Sequence, residues 1–353
     1  MPRRVPARIA IAVCLIATAC AGSSGKPAGS APADRFLARY VTGDGRVIRH
    51  DQGGDIVSEG QAYGMLIAEI AGRPSIARTI WSWTDAHLLR SDGLLEFHAT
   101  GSGQVEDADS AADADVLAGY ALLRYRGPDQ KALHDAGRRL AAAVLAHESV
   151  SSGNDPVIVA GTWAVNTSPP TVDPSYLMPG VFSALARLTG DARWQRAATT
   201  AVTLVRGLTG DGRRLPTDWA HLEAGRLVPS AAPNGSAPMQ YGLDAARLPL
   251  WFGTACTADA RQLAARWWTD GLSRDDRSSY LALSPEGTPL NRTDHPVPLL
   301  AGAAAATAAG NKSAAVTLRH RAAQLAQREP TYYGDAWLAL SGALFDGTLV
   351  HCN

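Results

Sequence analysis

The sequence predicts an all-α fold, one domain built as a closed ring of helical hairpins, and three observations carry that expectation. Apolar residues recur at helical spacing through most of the chain after residue 33. Alternating runs of the kind a half-buried strand needs are almost absent. Connections alternate in length, a short turn and then a long polar loop, as they do when helices pair into antiparallel hairpins. The length of 353 residues, 46% of them apolar, suits one large helical core.

The chain opens with Arg3, Arg4 and Arg8 ahead of an apolar run from Ile9 to Ala19, too short to span a bilayer, and this reads as an export signal. The run ends Ala17-Thr18-Ala19-Cys20, which resembles the lipobox of bacterial lipoproteins, although Ala17 stands where that motif more often has Leu, Val or Ile. The resemblance implies acyl chains on Cys20 and attachment to the outer face of the cell membrane, with simple secretion as the alternative. Residues 21–33, rich in Ser, Gly, Ala and Pro, read as a flexible tether to a catalytic body over residues 34–353. With the signal removed and Cys20 lipidated, Cys256 and Cys352 remain, a pair able to bridge in an oxidising compartment or to stay as two buried thiols.

Helical patterns follow over 33–41, 60–73, 75–90, 112–126, 130–148, 175–190, 191–208, 239–254, 257–272, 296–310, 312–327 and 332–346. Short turns such as Gly127-Pro128-Asp129 and Gly190-Asp191 join some neighbours, whereas the second, fourth, sixth, eighth and tenth segments follow long polar loops. In a ring of hairpins those loops, and the starts of the inner helices, gather around one mouth, where binding residues collect. Inner helices should be small or apolar on most sides, and the alanine-rich stretch 301–309 fits.

Carboxylates and rings stand at these starts. Glu59 opens the second segment in Ser58-Glu59-Gly60-Gln61-Ala62-Tyr63, Asp109 to Asp115 precede and open the fourth, and Asp173-Pro174-Ser175-Tyr176 opens the sixth. Tyr241-Gly242-Leu243-Asp244-Ala245-Ala246-Arg247 lies in the eighth, and Tyr332-Tyr333-Gly334-Asp335 opens the twelfth. Capping explains each acid singly, since Ser58 and Glu59 suit a helix start, but it does not explain the recurring aromatic neighbours.

The chain has 33 basic and 33 acidic side chains, which argues against a nucleic-acid partner and for a neutral one. HExxH spacing, a GxSxG elbow and a Gly-rich phosphate loop are all lacking, so neither a metal nor a cofactor is expected. The acidic run Glu106-Asp107-Ala108-Asp109 lacks the glycine and terminal glutamate of an EF-hand loop.

Together SEGQAYGM (58–65), SAADAD (110–115), DPSYLMP (173–179), YGLDAARLPLW (241–251) and YYGDAWLAL (332–340) resemble, in order and spacing, glycoside hydrolase family 8. The resemblance covers essentially the whole mature chain. It implies an (α/α)6 toroid and an inverting, endo-acting hydrolase of β-1,4-linked polysaccharide, cellulose or a related β-glucan first, with xylan or chitosan as alternatives. By the same match Glu59 is the general acid, Asp244 the general base that deprotonates the attacking water, and Asp113 the aspartate of the central subsite. In an inverting site the two catalytic carboxyls stand roughly 6.5–9.5 Å apart. Ala112, where the family usually has Ser or Thr, and Ala118-Gly119, in place of an Ile/Met-Ala pair, mark a divergent member.

Flat rings suit sugar faces, and Tyr63, Trp163, Tyr176, Trp219, Tyr241 and Tyr333 are the candidates, Tyr176 first. Arg247 reads equally as a sugar hydrogen-bond donor and as half of an ion pair. The expected partners are a polysaccharide and, through Cys20, the membrane, with the protein a monomer. Two other classes stay open: a polysaccharide lyase, disfavoured by the few basic residues in these segments, and a silent glycan-binding envelope protein, disfavoured by the presence of Glu59, Asp113 and Asp244.

Overall fold

The computed structural model describes residues 30–274 and 276–352. The expected export signal with Cys20, and residues 21–29 of the expected tether, lie outside them. Helices among the described residues are α1 (Ser30–Tyr40), α2 (Ser58–Ile70), α3 (Pro74–His87), α4 (Ala112–Arg124), α5 (Gln130–His147), the single turn α6 (Thr162–Val165) and α7 (Pro179–Thr189). Then come α8 (Ala192–Leu208), α9 (Arg247–Gly253), α10 (Ala258–Trp267), α11 (Pro296–Ala308), α12 (Lys312–Arg328) and α13 (Tyr332–Phe345).

An inner ring runs α2, α4, α7, α9, α11, α13 and back to α2, each packed on the next. Outside it α3, α5, α8, α10 and α12 each lie against the inner helix before them, and α1 joins α13, so the first and last helices close an (α/α)6 toroid. Alanines 303–306 of α11 are fully buried, which lets the inner helices approach closely.

Three expectations are corrected. The expected tether stops short of residue 33, because α1 already begins at Ser30, with Pro32 in the first turn where its missing N–H is harmless. The eighth segment turns helical only at Arg247 instead of 239, because the Asp218 carboxylate accepts the Gly242 and Ala245 N–H groups, which a longer helix would need for its ladder. Strands are present after all: antiparallel ladders join 56–57, 98–99 and 105–107; 149–152 and 155–158; 171–172, 219–223 and 226–230; and 280–283 and 289–294. At two to six residues each, they are too short for alternation to register in sequence. All lie in loops that precede inner helices, where they shape the mouth.

At the opposite end the chain terminus folds back into the base of the ring. Leu349 is buried, the Tyr120 hydroxyl donates to its carbonyl at 2.6 Å, and Arg124 bonds both that carbonyl and the Thr348 carbonyl. A disulfide between Cys256 and Cys352, 96 residues apart in sequence, ties this plug to the turn before α10. Replacing both cysteines by serine should lower stability by about 2–4 kcal/mol, measured by denaturant unfolding, because the crosslink removes a long loop's entropy from the unfolded chain.

Gly119, noted above as a departure, meets Gly137 where α4 crosses α5. A Cβ on Gly137 would stand 2.9 Å from the Gly119 carbonyl oxygen and 2.9 Å from Leu123, whereas one on Gly119 would find nothing nearer than 3.5 Å. Gly137→Ala should therefore destabilise the protein by about 1–2 kcal/mol through overpacking, while Gly119→Ala should be neutral or slightly stabilising. Thermal unfolding of the two variants separates them.

Candidate active site

Glu59 is the second residue of α2, yet it does not cap that helix: the residue before the helix is Val57, and the Ser58 hydroxyl has no hydrogen-bond partner. Its carboxyl points across the ring instead, 3.2 Å from the Arg247 Nη1. Arg247 is the first residue of α9, and its guanidinium is 3% exposed. The same Nη1 lies 2.8 Å from Asp113, at the start of α4, while Nη2 lies 3.2 Å from Asp173 and 3.0 Å from Asp244. Four carboxyl groups from α2, α4 and the loops before α7 and α9 thus surround one cation.

Arg247 Nε donates to the Asp244 carbonyl and Nη1 also reaches the Tyr63 hydroxyl, so the fork is occupied on all sides. Arg247 is thus ion-paired as one of its two readings expected, and it also borders the cleft. The Tyr176 ring stacks on the guanidinium at 5.2 Å.

Charge balance then dictates protonation. One guanidinium cannot compensate four ionised carboxylates in a buried setting, so protons are held where the ordinary acid would release them. Burial, then repulsion by Asp113, pushes Glu59 up to about 8, against the opposing pull of Arg247. Burial also raises Asp113 and Asp173, the latter further pushed by Asp244. Asp218, buried and facing Asp244, rises to about 7.

Glu59, Asp113, Asp218 and Asp244 border a cleft of about 990 Å³ at the mouth. Of the rings expected to stack on sugar, Tyr176, Trp163 and Trp219 line it, the two tryptophans 6.4 Å apart. Tyr63 and Tyr241 are corrected: both are buried, with no face open to the cleft, because they sit on the inward side of their segments. Tyr63 packs edge-on against Trp337, and half-buried Tyr333 packs on Trp337 and His295 close enough to Arg247 and Glu59 to interact with them electrostatically. Asp335 turns outward to Arg39 and the Tyr40 hydroxyl, joining α13 to α1.

The sequence places Asp173 among the acids of the mouth but gives it no role, and three further lining residues carry no signal in it. Asp218 is one, although it adjoins Trp219. Arg49 borders the cleft beside Glu59 and is held by both oxygens of Asp55. Phe97 adds a ring to the wall.

Residues 5–348 match the glycosyl hydrolases family 8. The chain belongs to that family. As a family 8 glycoside hydrolase it is 29% identical over 263 residues to a probable endoglucanase of Novacetimonas hansenii, covering 70% of this chain and 75% of that protein. It is 28% identical over 261 residues to an endoglucanase of Cellulomonas uda, covering 71% and 70%. In fold it resembles the endo-β-1,4-glucanase of Acetobacter xylinum, with a TM-score of 0.75 at 24% identity over 92% of this chain and 99% of that one.

Buried and half-buried carboxyls also set how this family 8 enzyme responds to pH. Glu59, Glu69 and Glu148 are each raised to about 8, chiefly by burial, whereas in an unfolded chain glutamate titrates near about 4.3. The folded protein therefore binds these protons more tightly, and the stability they confer is lost as pH rises through about 8. Thermal midpoints measured from pH 5 to 9 should fall toward the alkaline end.

Proposed function

We propose that this enzyme cleaves internal β-1,4 bonds of a glucan with inversion. Glu59 protonates the leaving glycosidic oxygen, Asp244 takes the proton of the attacking water, and Asp113 holds the sugar at the central subsite. The observation that carries this reading is the contrast between two carboxyls on one guanidinium: Glu59 keeps its proton to about 8, whereas Asp244 stands 40% exposed at the cleft. The nearest oxygens of the pair lie 3.2 Å and 3.0 Å from nitrogens of one planar fork. They are therefore within roughly 8–9 Å of each other, compatible with the gap that holds a water in inverting sites.

Trp163, Tyr176 and Trp219 present flat faces for a polymer of neutral sugars, and the endoglucanase names of the relatives support a glucan. Following the anomeric configuration of the first product by NMR tests inversion, and a retained configuration would reject it. Random internal cleavage should lower the viscosity of a soluble β-glucan faster than reducing ends appear. Activity should fall on the alkaline side as Glu59 loses its proton near pH 8 in the free enzyme.

We further propose that Cys20 carries a lipid anchor. The start of α1 lies at the end of the ring opposite the mouth, as the contact of Asp34 with Arg73 in the α2–α3 turn indicates, so a tether there leaves the cleft facing away from the membrane. No described helix is long and apolar enough to cross a membrane. Cys20→Ser should release the enzyme from the membrane fraction, and an unchanged distribution would reject anchoring.

A further inference from the structure

Asp218 borders the cleft, yet the reaction as written gives it no part. Its side chain is 6% exposed. Oδ1 accepts the backbone N–H groups of Gly242 and Ala245, both at 2.8 Å, and Oδ2 accepts from the Gln240 side chain at 3.0 Å. The two backbone donors stand on either side of Asp244. The fit is close: a Cβ at Gly242 would meet Oδ2 at 2.3 Å and the Gln240 amide nitrogen at 2.7 Å. Gly242 does not need glycine for its backbone conformation, so the space taken by Asp218 is what excludes a side chain there.

Arg247 holds Asp244 from one side, through its Nη2 on the carboxylate and its backbone N–H and Nε on the carbonyl. Asp244 precedes α9 in a turn, is 40% exposed, and one of its oxygens bonds Arg247 at 3.0 Å. Without an external tie, the turn would be free to rotate the carboxylate fully onto the guanidinium, away from the cleft. We propose that Asp218 is the positioning residue for Asp244: it clamps the backbone on both sides so that one Asp244 oxygen stays directed at the water-bearing side of the cleft. This inference rests on Asp244 being the base.

Small misplacements of a reacting group lower rate far more than binding, so the signature is a split between kcat and KM. Asp218→Ala should lower kcat about a hundredfold while KM on a soluble β-glucan changes by less than about threefold. Asp218→Asn, whose amide oxygen still accepts both N–H bonds, should recover kcat to within about tenfold of the parent. Gly242→Ala, which displaces the carboxylate without touching its chemistry, should follow Asp218→Ala, and it carries the comparison should Asp218→Ala fail to fold. An Asp218→Asn variant as inactive as the alanine, or a loss expressed in KM, would overturn positioning. In an Asp244→Asn background, Asp218→Ala should add less than about a twofold further loss, and a full additional loss would also overturn it. Retained activity in Asp244→Asn alone would instead reject the base assignment, so the two failures are told apart.

Discussion

Glu59→Gln lowers kcat by about a thousandfold or more and leaves polymer binding close to the parent value, because the amide keeps the shape of the side chain and has no proton to give. The loss should shrink on substrates whose leaving group needs no protonation, such as aryl glycosides with an acidic phenol. A second signature lies in pH. In the parent, activity declines as Glu59 ionises near 8; in the variant that alkaline limb should vanish from the residual rate. Steady-state kinetics from pH 5 to 9 on both substrate types provide the check, and a variant with the parent's activity removes Glu59 from the mechanism.

The second large effect is expected at Arg247. Its guanidinium lies within 3.2 Å of four carboxyl groups and is 3% exposed, so Arg247→Met leaves Asp113 and Asp173, both at most 2% exposed, without their cation. Removing one partner of a buried ion pair costs about 3–5 kcal/mol, because the remaining charge must protonate or stay unsolvated. Turnover should be lost together with stability, since the same fork holds Glu59 and Asp244 in place. Arg247→Lys should restore little of either: an ammonium is a point charge, whereas the fork reaches Asp113 and Glu59 from one nitrogen and Asp173 and Asp244 from the other. Raising the proton supply should partly compensate, so the stability deficit of Arg247→Met should narrow as pH falls toward 5. Denaturant unfolding at pH 5 and pH 8 measures that difference, and an equal deficit at both would contradict the four-carboxyl account.

Much of the fold was legible along the chain. Helical periodicity is a local property, and α2, α4 and α11 begin within two residues of the expected positions. At α9 a long-range partner moved the boundary: the helix waits for Arg247 because Asp218, 24 and 27 residues away, takes the N–H groups of Gly242 and Ala245, whereas at α7 a separate 3-10 turn over 174–176 delays the start from 175 to Pro179. The short strands escaped because two to six residues carry no period. Aromatic residues were read correctly as neighbours of the acids, but sequence does not say which way a ring turns. Tyr176 borders the cleft, while Tyr63 and Tyr241, likewise within four residues of an acid in sequence, are sealed in the core.

By itself the sequence determined the helical ring, its mouth and the family, because spacing, loop length and five separated motifs are all carried in chain order. Only the tertiary structure decided the electrostatics. Glu59, Asp113, Asp173 and Asp244 are spread over 186 positions, and only ring closure brings them onto one arginine. Proton affinity depends on the distances and burial created there, since Coulomb repulsion and desolvation act through space and leave no mark in the order of residues.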